Sequence, residues 1–305
     1  MNVEGLRRAV RLKGLTSATA VPEASVGRLE EASIRPARLT EGQTLQSIGF
    51  GSPEDWPEPI AFLDGIQRSE IIGYAGSAPL FMAEVAAAVR ERRNRRLQTV
   101  VEARRTLVLA RPSALAAAGE ALAPLEAIPL PDTDPPHPLR DLLNAGEALD
   151  QERGALEMVV GAQFRSQGDG WLVVDGTLSV SPQWAQDARM VAISKSHSIL
   201  PFDGADLEQY LRLPCGHRSS VFAPATRSLA PVSAWGLRLW PWDDKDLLYG
   251  LVRVEVAPCN GSTEMADAIS RWIMADRAPV SAPDRRWDRL LYGMYSVEQY
   301  LKARV

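Results

Sequence analysis

Two segments of the chain, IAFLDG at 60–65 and WLVVDG at 171–176, share one form: a short, fully apolar run that ends in Asp-Gly. Runs of this kind are expected of strands buried in a sheet. An Asp at the tip of such a strand stands on a rigid support, and the Gly after it lets backbone or substrate come close. Alone, each Asp-Gly reads as an ordinary strand-ending turn. As a pair on neighbouring strands, Asp64 and Asp175 would make a carboxylate cluster whose repulsion a divalent cation relieves. Hard cations such as Mg²⁺ or Mn²⁺ prefer such oxygen ligands. Two of them about 4 Å apart stabilise both the attacking and the leaving oxygen when a phosphodiester is hydrolysed.

Turn residues in GFGSPEDWPEP mark a boundary near residue 57 and divide the chain into an N-terminal extension, 1–57, and a larger domain, 58–305. Within the domain, Ile60–Leu63 and Glu70–Tyr74 read as two antiparallel strands. The stretch from Leu80 to Arg105 is rich in helix formers, although Leu80–Ala83 and Thr106–Ala110 also suit strands. Pro and Asp fill 124–138, a loop, and Leu139–Phe164 carries apolar residues at helical spacing. Trp171–Val174 and Met190–Ser194 are further buried strands, the second running into Lys195. Ala205–Leu213 reads as a short helix and Ser233–Trp240 with Leu247–Val256 as a hairpin. Glu264–Ala275 and Trp287–Ala303 read as helices.

At 305 residues, with 46% hydrophobic and 24% charged side chains, the chain can bury a full core without staples. Two cysteines are too few for a disulfide framework, and MNVEGLRRAVRLKG lacks a secretory apolar core, so a cytoplasmic address is expected. No window approaches a membrane span. The net charge of −4 gives no overall attraction to nucleic acid, but Arg90–Arg105 holds seven Arg against two Glu. That run reads as a solvated helix face or as a contact for a DNA backbone.

The ordered set FLDG, ALEMVV, VVDGTL and VAISKS, followed by WGLRLWPW, LYGLVRVEV and a closing helix, resembles the NurA nuclease family from about Ile60 to the C-terminus. The resemblance implies a ribonuclease H-like α/β fold, a mixed central sheet flanked by helices. It implies metal-dependent cleavage of DNA with Mn²⁺ or Mg²⁺ held by Asp64, Glu157 and Asp175, and Lys195 placed against a phosphate. It also implies a homodimer working with a HerA-type hexameric ATPase, in end resection or defence against phage. Spacing does not itself select Glu157. Leu149, Leu156, Val159 and Val160 form an apolar stripe that Glu157 borders and Glu152 joins. Only the ALEMVV match makes the choice, and the bland reading of Glu157 is a pair with Arg153.

The chain departs from the family at its end, where a Tyr and a His are usual and DRRWDRLLYGMYSVEQYLKARV has no His. Glu298 or Tyr292 would stand in that place. Trp287, Leu290, Met294, Val297 and Leu301 define the face of this helix that should pack on the sheet. A second reading follows from the departure: an adaptor that keeps the fold and binds DNA or the ATPase without cleaving. A third is a PIWI-like module that binds nucleic-acid guides. Zinc at Cys215, Cys259, His197 and His217 does not suit the ligand spacing. His197 reads as a surface histidine or a phosphate partner, Trp235, Trp240 and Trp242 as core or edge residues rather than base platforms, and Arg7, Arg8, Arg11 and Lys13 as part of a dimer or partner contact.

Overall fold

The computed structural model describes residues 32–122, 125–132, 137–225, 230–279 and 286–304. The chain divides into two units: residues Met1–Pro57 with Trp171–Tyr292, and Glu58–Gly170 with Gly293–Val305. Arg7, Arg8, Arg11 and Lys13 lie outside the described residues.

The unit of Glu58–Gly170 is built on three long antiparallel strands, Ile60–Ala75, Ala78–Arg93 and Arg96–Ala110, with Glu126–Pro129 parallel to the last. Two expectations are corrected here. Asp64-Gly65 does not end a strand. Ile60–Leu63 and Glu70–Tyr74 are parts of one 16-residue strand, whose Asp64 pairs with Ala88 and Gly65 with Ala87. The Ala-rich stretch after Leu80 is strand, not helix. Its alanines have helical propensity, yet Ala83 and Ala86–Ala88 are buried between two strands, and tertiary pairing overrides a weak local preference. The chain reverses at Asn94 and Arg95, whose positive φ values of 51° and 62° suit a two-residue hairpin turn. The Glu58 carboxylate accepts from both of their amides.

The Arg90–Arg105 run is therefore the tip and flanks of a hairpin rather than a helix face. Much of its charge is used internally. Arg90 donates to Ser296 and to the Leu97 carbonyl, Arg93 to Glu91, and Arg105 to Glu126 and Glu152.

Helix Pro138–Arg165 packs on this sheet, as its periodicity predicts. His137 caps it through Nδ1, which accepts from the Leu139 amide at 3.2 Å, and Pro138 fits the first turn. Its buried face is Asp141, Ala145, Leu149, Leu156, Val160, Gly161 and Phe164. Val159 is exposed and drops out of the expected stripe. The buried Asp141 binds the buried Arg111 guanidinium at 2.8–2.9 Å and fixes the first turn against the end of the third strand.

The other unit carries a mixed sheet in which Trp171–Asp175 and Met190–Ser194 run parallel. Leu251–Val256 then pairs antiparallel with Met190–Ser194, and Ser233–Arg238 with Leu251–Val256. Residues 32–57 are built into this unit. Ser47–Gly49 and Arg38–Leu39 pair with His217–Ser219 and Phe222–Ala223, and Ser33–Ile34 runs parallel to Ile199–Leu200. Trp56 packs with Trp171 and Trp272, centroids 5.2–6.0 Å apart. Helix Thr263–Ala275 buries Ala266, Ile269, Ser270, Ile273 and Met274, and Trp235 donates to Ser270 Oγ at 3.0 Å, which makes Trp235 core. In both units the strand pairing is mixed and helices flank the strands, in keeping with the expected α/β class. No helix among the described residues is long and apolar enough to cross a membrane.

The closing helix is shorter than its pattern suggests. A 3₁₀ turn covers Trp287–Arg289, and the α-helix begins at Tyr292, burying Gly293, Met294, Val297 and Leu301. Gly293 lies against the ring of Phe62, which is fully buried, with no room for a Cβ. Gly293→Ala is expected to lose roughly 1–2 kcal/mol, because overpacking a buried ring outweighs the gain in helix propensity. Gly146→Ala, at an exposed helix position with open space, is expected to gain up to about 1 kcal/mol. Urea midpoints of the two variants, moving in opposite directions, check the packing.

Candidate functional site

The pleat decides which acids of the Glu58–Gly170 unit stand together. Gly65, Ala87 and Ala103 lie abreast on three strands and present almost no side chain. Helix Pro138–Arg165 comes down on this row, and the Glu157 carboxylate rests on Gly65 so closely that a Cβ there would collide with it. Arg153, one turn before, bonds Glu157 Oε1, as their spacing predicts, and Gln67 Oε1 at 3.3 Å. Glu152, the other acid on the stripe, is taken by Arg105 at 2.5 Å. Burial disfavours the Arg153 charge, but Glu157, Asp150 and Asp64 hold its pKa above the ordinary value.

Asp64 projects from the opposite face of the same strand, the face of Phe62. It is 8% exposed, and its Oδ1 turns back to accept from the Gly65 amide at 2.8 Å. Asp64 and Glu157 are thus on either side of one backbone segment, and Arg153 senses both.

In the other unit, Asp175 ends its strand and Lys195 follows the parallel strand beside it, with Asp175 registered against Ile193. Lys195 Nζ meets Asp175 Oδ2 at 2.8 Å. Carboxyl ends of adjacent parallel strands are where open α/β sheets leave a crevice for ligands. Gly176 takes φ 102°, a conformation open to glycine, and turns the chain away. The following turn is held by Glu255, fully buried, which accepts from the Leu178 amide at 3.0 Å and from Arg253 at 3.1 Å. Burial pushes the Glu255 carboxyl up, against the pull of Arg253. Sequence reasoning missed Arg253 and Glu255. Their signal is two charged residues two apart in the otherwise apolar strand LVRVEV.

Glu298 pairs with Lys302 at 2.8 Å on its own helix. Tyr292 is 51% exposed at the start of that helix. His197 is neither a surface histidine nor a cation for phosphate. Its Nε2 lies 2.9 Å from the Leu251 carbonyl, and burial, with Arg289, Arg253 and Arg238 nearby, lowers its pKa to about 4. Arg238 is buried too and donates to the carbonyls of Leu211, Leu213, Leu247 and Tyr249.

The donors at hand are carboxylate oxygens, which suit a hard divalent cation held by one or two carboxylates and completed by water and phosphate. Among the described residues, no group of three or more His, Cys, Asp or Glu stands close enough together to hold a metal ion. Asp175 and Glu157 instead carry Lys195 and Arg153 as their counter-charges.

The depressed His197 sets a pH dependence. Its folded pKa of about 4 is below the ordinary 6.5, so the unfolded chain binds the extra proton between these values. Stability is then lost as pH falls from about 6.5 towards 4, by at most about 1.4 kcal/mol per pH unit. His197→Asn should remove that component. Equal pH dependence of the urea midpoint in wild type and variant would contradict it.

No family model matches the chain, and no curated protein matches it. Among solved structures it is similar to the crystal structure of the NurA nuclease from Sulfolobus solfataricus, at 11% identity and a TM-score of 0.49, over 88% of this chain and 81% of that one. The likeness is too distant to transfer any residue's role.

Proposed function

We propose that the chain is a metal-dependent DNA nuclease of the NurA type. The observation that carries the reading is the Asp175–Lys195 pair at the carboxyl ends of two parallel strands, a carboxylate and an ammonium 2.8 Å apart in the place where such sheets bind ligands. The ordered motifs of the sequence support the same reading.

In this reading Asp64 and Asp175 would be metal ligands, and Glu157, which rests on the other face of the Asp64 strand, would have to swing past Gly65 to join them. When bound, Mn²⁺ or Mg²⁺ supplies positive charge to the phosphate oxygens. Lys195 is oriented by Asp175 and presents its ammonium to a non-bridging oxygen of the scissile or neighbouring phosphate. Gly65 is small so that Glu157 can lie over the strand that carries Asp64. Arg153 holds Glu157 and would have to give it up for the carboxylate to serve as a ligand. Glu298 and Tyr292 occupy the helix on which the family places its Tyr and His, and either would serve as an auxiliary group. Homodimer formation and delivery of DNA by a HerA-type ATPase belong to the same proposal.

Purified protein with Mn²⁺ is expected to cut labelled single-stranded DNA or DNA ends. Asp64→Asn and Asp175→Asn should each lower the rate by a factor of 100 or more, and Lys195→Met by a factor of about 10–100. Asp175→Asn should shift the urea midpoint little, since a partly exposed ion pair is worth about 0–1 kcal/mol. No cleavage under any of these conditions, with the ATPase present, would leave the non-cleaving adaptor as the better account. Cleavage that survives both aspartate substitutions would remove these residues from the site.

A further inference from the structure

Beside the Asp175–Lys195 pair, Arg35 and residues of Trp171–Tyr292 line an open cavity of about 270 Å³. Its polar lining residues are Arg35, Arg253, Thr177, Ser179, Ser194, Ser196 and Ser198. Its apolar ones include Ile199, Pro201, Phe222 and Pro224. Much of the polar wall follows in sequence from the strands that carry the pair. Thr177 lies two residues after Asp175, and Ser194 and Ser196 flank Lys195.

This arrangement has the chemistry of an anion site. Arg253 stands across the ladder from Ser194 and is fixed by Glu255, so its guanidinium keeps one orientation. Arg35 is tethered by its backbone, whose amide donates to the Leu200 carbonyl at 2.9 Å, and no carboxylate is among the described residues of the lining. Ser196 and Ser198 hydroxyls are 3.2 Å apart and line the same wall. Guanidinium forks with hydroxyls at their side bind phosphate oxygens, and a doubly charged monoester gains more from two cations than a diester does. The volume is just below the range for drug-sized ligands, which begins at about 300 Å³. The apolar wall favours an ester over the bare ion.

We propose that this cavity is a phosphate-monoester site that takes a mononucleotide-sized ligand, its phosphate between Arg35 and Arg253 and its flat or sugar part on the Ile199–Phe222 wall. The choice of a nucleotide over other phosphate esters rests on the nuclease reading, while the anion site itself does not. For a nuclease the ligand is the terminal nucleotide of a strand or the released product.

Calorimetric titration of the full chain in EDTA tests this without turnover, with thymidine 5′-monophosphate, thymidine and inorganic phosphate as probes. The monophosphate should bind, inorganic phosphate more weakly, and thymidine not measurably. Arg35→Ala and Ser196→Asp should each weaken the monophosphate tenfold or more, the second by placing a carboxylate at the rim, and Ser196→Ala much less. Ser196 is exposed, so both of its variants should fold. Asp64→Asn should bind as wild type. Binding of thymidine equal to that of its monophosphate, phosphate binding at least as tightly as the monophosphate, no binding at all, or full affinity in Arg35→Ala and Ser196→Asp would each overturn the proposal. A chain that binds the monophosphate in this way yet cuts no DNA refutes the nuclease reading and leaves the anion site standing.

Discussion

The register between Ile60–Ala75, Ala78–Arg93 and Arg96–Ala110 sets what the Glu58–Gly170 unit can do. It brings Gly65, Ala87 and Ala103 into one row, and a row without side chains lets a helix settle close to the backbone. Glu157 reaches Gly65 for that reason, and Arg153 then meets acids from both the helix and the strand. A slip of one residue would turn every side chain to the other face, placing Asp64 under the helix and Phe62 away from Gly293. The Arg111–Asp141 pair secures the helix that rests on this row. Breaking such a buried pair by removing one partner typically costs about 3–5 kcal/mol, because the other charge stays behind uncompensated.

In the other unit the corresponding constraint is parallel pairing. Trp171–Asp175 and Met190–Ser194 are fully apolar until their ends, where one supplies an acid and the next residue of the other supplies an amine. The buried strands give that pair a fixed base, and Glu255 fixes the turn above it. Charge is balanced locally in three pairs: Lys195 on Asp175, Arg153 on Glu157, Arg253 on Glu255.

The chain order of motifs was legible because buried strands and a long amphipathic helix leave strong local patterns. Trp171–Val174, Met190–Ser194, the Ser233–Val256 hairpin and the helices at 139–164 and 264–275 all follow from apolar runs or helical spacing. The strand Ala78–Arg93 was not legible. Its centre is alanine, which has no β preference of its own, and its arginines resemble a helix face until Glu58 is brought to Arg92 and Ser296 to Arg90 from elsewhere in the chain. His197 was misread for a related reason, since the burial that lowers its pKa and the Leu251 carbonyl beside it come from residues distant in sequence.

What the sequence determined by itself was the chemistry on offer: Asp-Gly after apolar runs, a Lys after a buried strand, an acid beside Arg153 on a helix. These are local facts, fixed by side-chain type and by periodicities of two or 3.6 residues. Only the tertiary structure decided that Asp64-Gly65 continues a strand, that the pleat sets Asp64 and Glu157 on opposite faces, that Lys195 meets Asp175, and that Arg35 and Arg253 share a cavity. Those relations depend on strand register and on contacts between residues up to some two hundred positions apart, which no window of the sequence contains.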